Sequence, residues 1–160
     1  MSDEQASLGA RLLAEATGTA LLVMAVVGSG IMAQRLSPND VGLQLLENAA
    51  ATVGALIALI LALGPVSGSH FNPVVSLVTR LFGGMSTRDL GLYSVVQIVG
   101  GCIGAMVANL MFELDAINLS TKDRSSGALW LSEVVATLGL VLIIFGIVRS
   151  GRASDRKSTR

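Results

Sequence analysis

The chain has 160 residues, of which 52% are hydrophobic and only 14% charged, and its 11 basic residues balance its 11 acidic ones. With a mean hydropathy of +0.70, this excludes an ordinary soluble domain, in which roughly a quarter of residues are charged. The zero net charge gives no basis for a nucleic-acid partner. The expected fold is all-α and membrane-integral, with the lipid bilayer as its solvent.

Four stretches are long and apolar enough to span. The first runs from about Leu12 to Ala33 and contains Glu15; it is too long for a signal peptide and lacks a cleavage site, so it reads as a span. The second covers about Leu43 to Leu63, with Glu47 near one end, where its side chain can reach the interface. The third covers about Leu90 to Phe112 and the fourth about Leu129 to Val148. In the third, Gly100-x-x-x-Gly104-x-x-x-Ala108 and Gly101-x-x-x-Ala105 form small-residue ridges that let helices approach closely. Cys102, the single cysteine, cannot form an internal disulfide and is expected as a small packed core residue. Residues 1–149 are expected as one membrane-embedded domain, and the polar segment 150–160 as a disordered cytoplasmic tail.

Between the second and third spans the sequence Gly64-Pro-Val-Ser-Gly-Ser-His-Phe-Asn-Pro-Val-Val-Ser-Leu-Val-Thr-Arg80 breaks the pattern. About a dozen residues separate Phe71 from Gly83-Gly84, too few to cross a bilayer that needs roughly 20. Asn72 is a strong N-cap, and Pro73 fits the first helical position, where its missing N–H costs nothing. A re-entrant half-helix over about Pro73–Leu81 follows. At membrane depth, its open N–H groups and positive dipole end must face a water-lined cavity, which favours neutral polar solutes and opposes cations.

Ser67-Gly68-Ser69-His70-Phe71-Asn72-Pro73-Val74-Val75 resembles the first signature loop of the aquaporin family, the major intrinsic proteins, usually Ser-Gly-Ala-His-x-Asn-Pro-Ala-Val. The stretch around Glu15 is similar to the family's first helix, Tyr93-x-x-x-Gln97-x-x-x-Gly101 to its third and Ser-Glu133-x-x-x-Thr137 to its fourth. The resemblance implies a channel for water or small uncharged solutes, such as glycerol-like polyols or neutral metalloid hydroxides. It places Ser67, Gly68, His70, Asn72, Pro73 and Val74 in the pore loop, and has Glu15, Glu133 and Gln97 brace re-entrant loops. It also puts a filter position near Thr52. Val74 stands where the family usually has Ala and adds bulk beside the constriction, and Thr52 is not aromatic, which does not favour a strict water filter. Family members are usually tetramers in the cell membrane, and no cofactor is implied.

Glu15-x-x-x-Thr19-x-x-Leu22-Val23 recurs as Glu133-x-x-x-Thr137-x-x-Leu140-Val141, an offset of 118 residues. The same offset from Asn72 falls on position 190, past Arg160. The sequence is therefore expected to hold the first half of a doubled unit and the helix that opens the second, an incomplete channel. Lys and Arg are biased toward Arg11, Arg80, Arg88, Arg149 and the tail, against Arg35, Lys122 and Arg124, which places both termini in the cytoplasm.

Two other classes stay open. A non-conducting membrane scaffold is one. The other is a serine hydrolase using Ser67 and His70, although the spacing is not Gly-x-Ser-x-Gly. As the only histidine, His70 rules out a metal cluster built on histidines, and its role is either loop bracing or pore lining.

Overall fold

A computed structural model describes residues 6–121 and 125–158. Among them all regular structure is helical, in the order α1 (Leu8–Leu36), α2 (Val41–Ser67), α3 (Pro73–Leu81), α4 (Thr87–Met111) and α5 (Gly127–Ser158). Local chemistry sets the starts. The side chains of Ser7, Asp40, Asn72 and Ser86 each accept a backbone N–H of the turn they open, satisfying donors that would otherwise be orphaned in lipid. Residues Leu8–Leu36, Val41–Ser67, Thr87–Met111 and Gly127–Arg149 are each long and apolar enough to cross a membrane.

Two boundaries and the placement of one residue depart from the sequence reading. The second helix does not stop near Leu63; it continues through Pro65 to Ser67. Proline is tolerable there because it lies in the last turn, which Gly68 closes by donating its N–H to the Gly64 carbonyl from a left-handed conformation. α5 continues past Arg149 into the polar segment as far as Ser158, where Arg152, Ala153, Arg156 and Lys157 are all helix formers. Cys102 is exposed on α4 and is not a core residue, because the buried stripe of that helix runs through Tyr93, Gln97, Gly100, Gly104 and Ala108.

The chain divides into two units, Met1–Leu119 and Ser120–Arg160. In the first, α1 packs against both α2 and α4, and α3 packs against α4. The α1–α4 seam is very close: a Cβ on Gly100 or Gly104 would overlap the backbone carbonyls of Ala16 and Ala20. The second unit holds α5 alone.

The burial pattern inverts that of a soluble domain. The largest fully buried side chains are Tyr93, Gln97, Glu15 and Ser76, whereas leucines, valines and isoleucines of the spans are exposed. In water such a surface would be an aggregation hazard; in lipid it faces hydrocarbon, and polar side chains must find partners inside.

Candidate functional site

The site begins with a carboxylate. Glu15 lies next to Ala16 of the close α1–α4 seam and is completely buried. Its Oε1 accepts from the Ser67 hydroxyl at 2.6 Å and the His70 backbone N–H at 3.0 Å. Its Oε2 accepts from the Phe71 N–H at 2.8 Å and the Gln97 amide at 2.8 Å. Two donors on each oxygen compensate its desolvation and fix the loop between α2 and α3 to α1 and α4.

That loop needs fixing. Gly68, Ser69 and Phe71 have φ of 89°, 51° and 48°, and two of these residues carry side chains that disfavour the left-handed region. Such strain persists where surrounding contacts over-determine the backbone. The Phe71 ring supplies one of them, filling the hollow left by Gly18 on α1, where a Cβ would collide with it.

A second chain of hydrogen bonds crosses the half-helix. Gln97 also donates to the Ser76 hydroxyl at 3.1 Å, Ser76 lies 3.0 Å from His70 Nδ1, and His70 Nε2 lies 3.4 Å from the Thr79 hydroxyl. Thr79 donates to the Val75 carbonyl and Ser76 accepts from Gln97, so the consistent tautomer of His70 carries its proton on Nε2. The hydrolase alternative finds no geometry here, since the Ser67 hydroxyl is turned to Glu15 and the hydroxyl beside His70, that of Ser76, is completely buried.

Further along the same faces, Arg11 donates to the Tyr93 hydroxyl at 3.0 Å, and Tyr93 donates in turn to the Ser67 carbonyl at 3.0 Å. Arg11 also pairs with Asp89 at 3.5 Å. Ser67 is thus held at both its hydroxyl and its carbonyl. A cavity of about 410 Å³ opens beside this point, lined by Arg11, Gly64, Ser67, Gly68 and Asp89 among others.

Asn72 caps α3, its Oδ1 accepting the Val74 N–H at 2.8 Å. Because a backbone N–H demands the oxygen, the amide nitrogen is the free end and presents donors away from the helix. Pro73 occupies the first helical turn, and Val74 is exposed beside it. Thr52 lies well before this region on α2, with its hydroxyl donating to the Asn48 carbonyl at 2.8 Å. Glu133 belongs to α5, in the other unit, and its side chain is exposed. The structure therefore brings Glu15, Ser67, Gly68, His70, Asn72, Pro73 and Gln97 into one region of the first unit.

Sequence reasoning missed Gly18, Phe71, Ser76 and Thr79 as members of the network. The available signals were a glycine one turn after Glu15 and two hydroxyls at helical spacing in a half-helix too polar for lipid.

The model of the family described as Major intrinsic protein matches residues 3–159. The chain is 47% identical over 149 residues to the aquaglyceroporin AqpS of Rhizobium meliloti (strain 1021), covering 93% of this chain and 64% of that protein. It is 29% identical over 133 residues to the probable aquaporin NIP7-1 of Arabidopsis thaliana, covering 82% of this chain and 47% of the relative. Over 75 residues it is 47% identical to aquaporin-8 of Rattus norvegicus, covering 47% of this chain and 27% of the relative. The chain thus spans less than two thirds of the length of each of these relatives. A family model that runs along almost the whole sequence agrees with a polar-cored bundle holding a capped half-helix, and the chain belongs to the major intrinsic protein family.

Proposed function

We propose that this chain supplies one half of a transmembrane path for water or small uncharged solutes, with the α3 N-terminus as its central element. The observation that carries the reading is the capped half-helix of nine residues, Pro73–Leu81, whose approach loop is held by a fully buried carboxylate. Lipid cannot satisfy an exposed helix start, and a fixed array of N–H donors with a positive dipole end suits a neutral hydrogen-bonding solute while opposing cations. In this reading the Asn72 amide donates to the passing oxygen. Val74 sets local width, Gln97 and Glu15 position the loop, and Thr52 contributes to a filter.

The name of the Rhizobium relative favours glycerol-like solutes within this class. A non-aromatic residue at Thr52 is compatible with such a bulkier permeant. Glu133, which repeats the Glu15 pattern, would brace a second half-helix, and a tetramer in the cell membrane with both termini cytoplasmic is the proposed assembly.

The test is solute flux in proteoliposomes, measured for this chain alone and for the chain joined to a family segment carrying a second Asn-Pro-Ala loop. The joined protein is expected to conduct and the chain alone to conduct little. Asn72→Asp in the joined protein should lower flux or admit cations, since it puts a negative charge at the helix start. Full, inhibitor-sensitive flux through the chain alone would overturn the half-pore reading, and a folded but silent joined protein would favour a scaffold.

A further inference from the structure

At the opposite end of the α1–α4 seam from Glu15's loop, the two helices part around an almost wholly apolar groove of about 280 Å³. It is lined by Met24, Ala25, Gly28, Met32, Met111 and Phe112. Ser29 also borders it, but its hydroxyl donates to the Val26 carbonyl at 3.3 Å and accepts from Asn48 at 2.9 Å, so it offers no open polar group. Along α1 the groove extends from Met24 to Met32, about 12 Å at the helical rise. That is most of one hydrocarbon leaflet, roughly 15 Å.

A cation stands beside Phe112, a residue of the groove wall. Arg35, one turn beyond Met32, is exposed, donates from Nη2 to the Phe112 carbonyl at 2.6 Å and stacks its guanidinium 5.3 Å from the centre of the Phe112 ring. These contacts hold the side chain against Phe112, which lines the groove, while using one of five N–H donors. No carboxylate pairs with it among the described residues. A fixed guanidinium with free donors is suited to bidentate phosphate, and the flexible thioethers below it conform to an irregular chain.

We propose that Arg35 and this groove form a binding site for an anionic phospholipid, with its phosphate on the guanidinium and one acyl chain lying from Met32 to Met24. The site belongs to the leaflet bordering the α1–α2 connection and is independent of whether the chain conducts. Methionine flexibility gives tolerance of acyl type, so selectivity resides in the headgroup. An uncompensated phosphate binds well, whereas a choline headgroup places its own cation against Arg35.

The experiment is native mass spectrometry of the full chain in mild detergent with equal amounts of dioleoyl phosphatidylglycerol and dioleoyl phosphatidylcholine. The parent chain should retain the glycerol lipid by about tenfold over the choline lipid, the ratio expected from one charge-assisted contact. Arg35→Gln should bring that ratio close to one, while Arg88→Gln, at the other end of α4, should leave it unchanged. Filling the groove by Ala25→Leu, or from the other wall by Met111→Phe, should reduce retention of both lipids in variants whose circular dichroism matches the parent. Added inorganic phosphate should not displace the lipid, because the acyl chain carries part of the affinity. Equal retention of the two lipids by the parent, equal effects of Arg35→Gln and Arg88→Gln, displacement by phosphate, or a second copy of the chain bound in place of lipid would each overturn the proposal.

Discussion

A carboxylate inside a transmembrane helix is tolerated when its lone pairs are met, and Glu15 meets two donors on each oxygen. Glu15→Leu strands all four donors at about 1–3 kcal/mol for each that stays buried and unpaired. Glu15→Gln keeps one accepting oxygen and turns an NH₂ toward donors. Thermal unfolding in detergent should therefore rank the parent above the glutamine variant and that above the leucine variant; equal midpoints would mean that Glu15 holds nothing. Gly18 is the complementary case. Its Ala variant pushes a methyl into the Phe71 ring, an overpacking cost of about 1–3 kcal/mol. Combined with Phe71→Ala, that cost should largely disappear, and strictly additive losses would show that the two positions are not coupled. Glu15 was legible in the sequence as an ionisable residue within an apolar span, and Gln97 only through the resemblance of its helix to the family's third. The Gly18–Phe71 fit was not, because a left-handed φ at a phenylalanine has no signature in composition or periodicity.

Among the elements, α3 was the most legible, since Asn72-Pro73 marks its start and Gly83-Gly84 follows its end, and its observed range is Pro73–Leu81. The end of α2 was the least legible. Gly64-Pro65 reads as a break, yet the helix carries on to Ser67, where Tyr93 and Glu15 take hold of the carbonyl and hydroxyl that a terminating turn leaves available. Of the two small-residue ridges on α4, contacts distinguish them. A Cβ on Gly104 meets the Ala20 backbone, whereas one on Gly101 sits 3.6 Å from a Val23 methyl, an ordinary contact. Gly104→Ala should lose about 1–3 kcal/mol through forced separation of the helices. Gly101→Ala should be neutral or gain up to about 1 kcal/mol from helix propensity. Chemical denaturation of both variants in the same micelle checks the pair, and an equal loss at both positions would mean that the seam is not the tight surface described.

Among the described residues the largest fully buried side chains are Tyr93, Gln97, Glu15 and Ser76 while many large apolar side chains of the spans are exposed, and it was the membrane setting that was readable from composition. The chain's orientation rests on basic-residue bias. Lys122, Arg124 and Arg160, which contribute to that bias, lie outside the described residues. With Cys102 replaced by alanine, single cysteines at Ser37 or Asn39 should react with an impermeant thiol reagent in intact cells, and a cysteine at Arg88 should react after lysis alone. The opposite pattern would reverse the proposed topology. The Glu15 clasp also has a consequence in time. All four of its donors are made later in synthesis than the carboxylate itself, the last of them 82 residues on. At roughly 5–20 residues per second, Gln97 is added some 4–16 seconds after Glu15. Through that interval the nascent first span carries a carboxylate whose hydrogen-bond set is incomplete, and the clasp closes only once the residues of α4 that complete it have been made.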